Sequence, residues 1–397
     1  MKVQKRNPRI LFVAPLPPPV HGSAMVSQYI KNSQLVQGVF DSDFVNLSTS
    51  RKMDEIGKGG AKKLLRFIGA YFTLLWKLLT HRYALCYLAI TCHGMGFLKD
   101  APFVLLCKLF RRKVVIHQHN KGMSKCVDKQ PYKWLLPLVY KNTKVILLSW
   151  YLYPDIEKVV KKEQVVICPN GIPCSNENVD VTPSASLVPL KEGQCSTHYA
   201  NEKILRLLFL SNLIPSKGVY VLLDACKILR ERGLQFVCDF VGGETREINR
   251  ATFEAAVKVR GLDDVVYYHG PKYGEEKEAY WQNADIFVQP TFEDCFPLTI
   301  VEAMQHGKSV VSTDEGAVPD LVKDGENGFV CERKDSLSLA LALEKLITNP
   351  TLRQQMGERG YQRYKEHYTL EAFERKFVEV IKACCKRPKM TSCENFD

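Results

Sequence analysis

Asp294 and Glu302 stand on either side of a proline in ADIFVQPTFEDCFPLTIVEAMQHGKSVVST, residues 284–313. A carboxylate accepts hydrogen bonds from two neighbouring sugar hydroxyls, and charged hydrogen bonds of ~1.5–3 kcal/mol make firm anchors for a ribose or hexose. The pattern predicts a strand ending at Gln289, a loop carrying Glu293 and Asp294, and a helix starting near Pro297, because proline suits the first helical turn. Glu302 then lies about 7.5 Å along the helix axis, and both carboxylates are expected to face one crevice. The free amides of Leu298 and Thr299 at the helix start are suited to phosphate oxygens. By itself the pair reads better as an exposed acidic loop and a capping-related glutamate. Lys217 follows one predicted strand and precedes a helix, so its ammonium adds to a helix end that already favours anions. An ordinary lysine at a helix start is the plainer reading of that residue alone.

The elements that must hold these residues form two series. RILFVAPL, YALCYLAIT, KVVIHQHN, KVILLSW and QVVICPN read as strands in the first half. ILRLLFLSN, LQFVCDFVGG, DVVYYHG, ADIFVQP and KSVVST follow in the second. Short apolar runs alternating with helical patterns are the mark of βα units, so the predicted fold class is α/β with two doubly wound parallel sheets. Residues 175–203 have no period and are rich in Ser, Pro and Asn. They are expected to link a domain over 1–174 to a second over 204–365. Two helices are expected near the end, and the charged tail over 387–397 is read as disordered. Doubly wound sheets bind ligands at the carboxyl ends of their strands, which predicts a ligand in a cleft between the two domains.

Length and composition narrow the classes. The 397 residues are 46% apolar and 25% charged, ordinary globular composition that excludes fibres and stalks. No apolar run approaches the ~20 residues of a membrane-spanning helix, and the basic start lacks a cleavage site, so a buried first strand is read there instead of a signal peptide. Fourteen cysteines include no Cys-x-x-Cys pair and sit mostly in apolar runs, which predicts free thiols in a reducing cytoplasm. Residues 1–170 hold 27 Lys and Arg against 9 Asp and Glu, a net +18, whereas the remainder is −6. The first half is therefore expected to meet an anionic partner, with a merely solvated basic surface as the alternative. Within it, AKKLLRFIGAYFTLLWKLLT, residues 61–80, places Lys62, Arg66, Thr73 and Lys77 on one stripe of a helix that is apolar elsewhere. Such a helix either packs two apolar sides inside the domain, the favoured reading, or lies on a bilayer with its cations near lipid phosphates.

Residues 284–313 resemble the acidic signature of glycosyltransferase family 4, with Asp294 and Glu302 in its two acidic positions. The resemblance extends in order over 204–330. ILRLLFLSNLIPSKGVYVLLDACKIL is similar to the family's strand, Lys-Gly loop and helix, and GAVPDLVKDGENGFV to its following loop. APLPPPVHGSAMVSQYI resembles the first strand and glycine turn, with Gly22 where backbone approaches a ligand. VVIHQHNKG puts His117 and His119 on one strand face, His119 at the carboxyl end. The resemblance implies a GT-B fold, with the acceptor on the N-terminal domain, the nucleotide sugar on the C-terminal one and a final helix, about 366–386, crossing back. It implies retaining transfer of a hexosyl group from a nucleotide sugar, a UDP-sugar by preference. In that reaction His119 and Asp294 meet the donor sugar, Glu302 the ribose, and Lys217, Leu298 and Thr299 the diphosphate. Two positions depart from the pattern. Asn212 stands where the family usually has Arg, and either hydrogen-bonds the diphosphate itself or leaves the clamp to other groups. Asp294 stands where Glu is usual, which shortens the reach toward the sugar.

No metal or other cofactor is expected, since a lysine and amides can take the diphosphate charge. Asp41-Ser-Asp43 has a metal-binding spacing but reads better as a turn, and Gly57, Gly59 and Gly60 lack the lysine of a phosphate loop. The expected acceptor is a glycan or polyisoprenyl-diphosphate-linked saccharide of bacterial surface polysaccharide assembly. The expected location is the cytoplasm or the inner membrane face, and nucleic acid is not an expected partner. A nucleotide-sugar 2-epimerase and a non-catalytic binding protein are the alternatives.

Overall fold

A computed structural model describes residues 7–19, 21–50, 60–174 and 204–386. The predicted linker, the tail, Gly57 and Gly59 lie outside these. The chain divides into two units. Unit 1 comprises 1–171 with 370–397, and unit 2 comprises 172–369.

Unit 1 carries strands β1 (Arg9–Ala14), β2 (Asp41–Asn46), β3 (Leu85–Ala89), β4 (Val114–His117), β5 (Lys144–Leu147) and β6 (Val165–Ile167). Its helices are α1 (Gly22–Asn32), α2 (Gln34–Val39), α3 (Ala61–Thr80), α4 (Gly94–Leu109) and α5 (Tyr132–Tyr140). Unit 2 carries β7 (Arg206–Leu210), β8 (Val237–Val241), β9 (Val266–Tyr268), β10 (Ile286–Gln289), β11 (Ser309–Thr313) and β12 (Gly328–Cys331). Its helices are α6 (Val219–Glu231), α7 (Arg250–Val259), α8 (Gly274–Asn283), α9 (Leu298–Gln305), α10 (Val318–Leu321), α11 (Ser336–Thr348) and α12 (Pro350–His367). The last helix, α13 (Leu370–Cys385), returns to unit 1, where Phe373, Phe377 and Ile381 pack into the core beside Phe12 and Tyr87.

Each unit is one six-stranded parallel sheet, in the orders β2-β1-β3-β4-β5-β6 and β12-β11-β10-β7-β8-β9. Central strands such as β3 and β10 are buried at every position, which is why they read as unbroken apolar runs. In each order the chain reverses direction once, between β1 and β3 in unit 1 and between β7 and β10 in unit 2. Loops leaving neighbouring strands on opposite sides of such a point open a crevice at the carboxyl ends. In unit 2 those loops carry Lys217 and Asp294.

Two expectations change. Asp41-Ser-Asp43 is no turn but the start of edge strand β2, parallel to β1. Its acids face cations: Arg9 lies 3.2 Å from Asp41 and 3.1 Å from Asp43, and Lys77 lies 2.6 Å from Asp43. Helix α3 does not bury two apolar sides. Leu74 and Leu78 are buried and Phe67 and Tyr71 meet Phe103 of α4 edge-on, but Leu65, Phe72, Trp76 and Leu79 are 62–67% exposed. The cationic stripe turns partly inward instead, with Arg66 donating to the Thr49 carbonyl and Lys77 held by Asp43.

Candidate active site

In unit 2, β7 leads through Asn212 and a short 3-10 turn, Pro215–Lys217, into α6. Gly218 joins them at φ 84°, a left-handed conformation that favours glycine, and a side-chain carbon there would lie 2.1 Å from the Pro290 carbonyl oxygen. The loop after β10 is thereby laid directly on the Lys-Gly turn. Phe292 N and Thr291 Oγ1 both donate to the Ser216 carbonyl, at 2.9 and 3.1 Å. With the two backbones fixed, Lys217 Nζ reaches Asp294 Oδ2 at 2.5 Å, with only 20% and 13% of the two side chains exposed.

Asp294 is held from several sides. Its Oδ1 accepts from Cys295 N at 2.8 Å, and its own amide donates to Glu315 Oε1 at 3.3 Å. Glu315 is buried and in turn accepts from Arg333 at 2.9 Å. Gly316, at φ 57°, lets that loop pass where a side-chain carbon would be 2.3 Å from the Asp294 carbonyl oxygen. Gln289, the last residue of β10, points its amide at Asp294 Oδ2 and accepts from Thr299 Oγ1 at 2.6 Å. Lys217, Asp294, Gln289 and Thr299 are thus one network.

Pro297 caps α9, whose first backbone bond runs from Ile300 N to the Pro297 carbonyl. The Leu298 and Thr299 amides precede it, in the turn that has no intrahelical acceptor. Glu302 lies three residues beyond Thr299, hence on the same helix face. Its carboxylate takes Lys277 of α8 in a forked contact, 3.0 and 3.1 Å. Both predicted acids are therefore present at the switch point, but each already carries a cation. An anionic ligand must share or displace those cations, and sugar hydroxyls can still donate to the remaining carboxylate lone pairs. Asn212 Oδ1 is occupied by Gly243 N at 3.0 Å, so its carbonyl side ties the β7 loop to the β8 loop while the residue stays exposed.

The sequence reading missed Lys277, Gln289, Glu315 and Arg333. Lys277 sits in a helix with no recognisable motif. Gln289 was legible only as the end of a strand, and its position at a carboxyl terminus was the available signal.

Unit 1 has its own crevice at its switch point, a cavity of 1020 Å³ lined by Pro15, His21, Ile90, His119 and, from α3 and α4, Phe67 and Met95. Gly22 opens α1 directly after His21, whose Nδ1 accepts from Ala24 N. His117 ends β4 fully buried, 2.8 Å from the Tyr87 hydroxyl through Nδ1. His119 follows on the same side, its ring centroid 4.0 Å from that of His117. Both His119 ring nitrogens are shut from solvent and, among the described residues, have no hydrogen-bond partner. Burial, with His21 adding to it, pushes His119 down to about 3, so its imidazole is neutral at ordinary pH and has one N–H to give.

These two crevices, one in each unit, fall in a chain with recognisable relatives. Residues 196–363 match the family model of glycosyl transferases group 1. The group 1 region contains Lys217, Asp294, Thr299 and Glu302. The amylovoran biosynthesis glycosyltransferase AmsK of Erwinia amylovora is 31% identical over 148 residues, 36% of either chain. The lipopolysaccharide 1,2-N-acetylglucosaminetransferase of Salmonella typhimurium is 25% identical over 279 residues, 68% of this chain and 67% of that one. Of AmsK the chain spans little more than a third, and of a D-inositol 3-phosphate glycosyltransferase from Streptomyces griseus it spans 34%. Anabaena HepE, solved in complex with UDP, superposes with a TM-score of 0.73 at 16% identity, covering 94% of this chain and all of that one. At that identity the likeness is one of fold. The fold is GT-B, with two Rossmann-like units.

Proposed function

We propose that the protein is a retaining hexosyltransferase of glycosyltransferase family 4, moving a hexosyl group from a UDP-sugar to a glycan or polyisoprenyl-diphosphate-linked saccharide. The observation that carries this reading is the Lys217–Asp294 pair at the switch point of unit 2, inside the group 1 region. The amylovoran and lipopolysaccharide names of two relatives support a role in bacterial surface polysaccharide assembly, and the HepE complex supports UDP.

In this mechanism the bond between the anomeric carbon and the diphosphate oxygen breaks, and its electron pair leaves with UDP. Lys217 and the Leu298 and Thr299 amides take the departing charge, as preorganised donors do most effectively in a site closed to water. No metal is required in this scheme. The acceptor oxygen bonds to the anomeric carbon from the face the leaving group vacates, and its proton passes to the UDP oxygen. Asp294, once Lys217 turns to the diphosphate, accepts from a hexose hydroxyl. Glu302, held by the forked contact with Lys277, accepts from the ribose. His119, neutral and lining the unit 1 cavity, turns a ring N–H to the sugar near the reacting carbon when the donor binds, and Gly22 leaves room for backbone approach. Asn212 acts on the donor site by fixing the β7 and β8 loops.

A panel of radiolabelled nucleotide sugars incubated with the protein and a bacterial lipid extract tests the proposal. Label transferred from a UDP-hexose into an extract-dependent product is the expected result. Conversion of the free nucleotide sugar without any acceptor, or failure to bind every nucleotide sugar offered, overturns it.

A further inference from the structure

We propose that the outward face of α3 lies flat in the surface of an anionic phospholipid bilayer and seats unit 1 there. The five side chains Leu65, Ile68, Phe72, Trp76 and Leu79 fall within an 80° arc of the helix at 100° per residue. All five are exposed, from 39% for Ile68 to 67% for Leu65 and Trp76. The opposite face holds buried Leu74 and Leu78, so the helix has one apolar side for the protein and one left over. Single exposed apolar residues need no explanation, but a continuous stripe with two large aromatics along a 20-residue helix does. The helix cannot cross a bilayer: among the described residues none is long and apolar enough. A strip of Leu, Ile, Phe and Trp bordered by cations is instead suited to the boundary between headgroups and acyl chains.

Charge selects the occupant. Residues 1–170 carry a net +18, and exposed Lys62 borders the apolar stripe while exposed Arg82 follows the helix end. Helix α4 packs against both α3 and α5, and these neighbours add exposed Leu109, Trp134 and Leu138 beside exposed Arg111 and Lys133. Two copies meeting through such faces would bring like charge together, whereas an anionic leaflet attracts it. The contacts also reverse one detail of the sequence expectation. Arg66 and Lys77 are committed to Thr49 and Asp43, so the apolar arc meets the lipid and only the flanking cations reach phosphates. The cavity of unit 1 reaches α3 through Lys63, Leu64 and Phe67, so a lipid-borne acceptor would arrive beside its own membrane.

The proposal does not rest on the glycosyltransferase reading, because binding is measured without donor or acceptor. The full chain is sedimented with phosphatidylcholine vesicles made with and without phosphatidylglycerol, at low and high salt. Binding is expected to vesicles containing phosphatidylglycerol and to weaken in salt. The double variant Phe72→Ser with Trp76→Ser, both positions exposed, is expected to lower the partition coefficient at least about tenfold. Its thermal midpoint should stay unchanged, which separates lost docking from lost folding. Equal partition of variant and wild type overturns the proposal, as does absence of vesicle binding. A wild-type dimer that the variant turns monomeric, without lipid binding, assigns the face to a second copy instead and equally overturns it.

Discussion

Replacing Lys217 with Met removes one charge at the point where the diphosphate is proposed to bind, and the structure sets the size of the effect. In the free protein the ammonium lies 2.5 Å from Asp294 Oδ2 and is only 20% exposed. A charged hydrogen bond in such a place contributes about 1.5–3 kcal/mol, which corresponds to a loss of roughly ten- to 150-fold in Kd for UDP. The single variant also leaves Asp294 without its cation next to the phosphates. Its loss should therefore exceed that of the double variant Lys217→Met with Asp294→Asn, in which the repulsion is gone. Titration calorimetry with UDP measures both. Uridine has no phosphate to lose, so its weak binding, followed by ligand-observed NMR, should change less than about twofold, an interaction of near-neutral groups being worth little here. If uridine and UDP weaken together, Lys217 supports the fold of the site rather than the diphosphate, and unchanged UDP binding would refute the assignment outright.

Asp294→Asn alone should separate binding from turnover: UDP affinity is retained or improved because Lys217 is released, while kcat for hexosyl transfer falls, as steady-state kinetics with saturating donor would show. Glu302→Ala should raise the donor KM roughly tenfold with little change in kcat, since it removes a ribose anchor worth about 1.5 kcal/mol. Lys277→Met, which strips Glu302 of its forked partner, should raise the same KM by less. His117 is held well below its ordinary 6.5 by burial, followed by the influence of His119. The unfolded state thus binds the extra proton first, and stability is lost as pH falls through 6.5. The loss from His117 grows as pH falls below that ordinary value, visible as a falling denaturation midpoint. His117→Asn should flatten that pH slope, and an unchanged slope would show the ring to be charged when folded.

What could be read from sequence followed burial. Strands such as RILFVA and VVIH are covered on both faces, so their apolar runs announced them, and with them both sheets and the positions of Lys217 and Asp294 at strand ends. Edge strand β2 escaped notice because its residues, DSDFVN, are half exposed and satisfied by Arg9 and Lys77 from elsewhere. Helix α3 was ambiguous because Phe72 and Trp76 look the same in sequence whether they face a core or solvent. The pairing of Lys217 with Asp294 spans 77 residues, and that of Glu302 with Lys277 joins a motif to an unremarkable helix. Neither has any local signal. The first exists because Gly218 lets the β10 loop lie on the β7 loop, a fact of packing that spacing cannot carry.

A crystal structure with UDP tests the central claim most directly. The account predicts a diphosphate oxygen within hydrogen-bond distance of Lys217 Nζ, the ribose hydroxyls on Glu302, and the Lys217–Asp294 contact lengthened or broken. A nucleotide bound away from the β7 and β10 loops, with that contact intact, would contradict it.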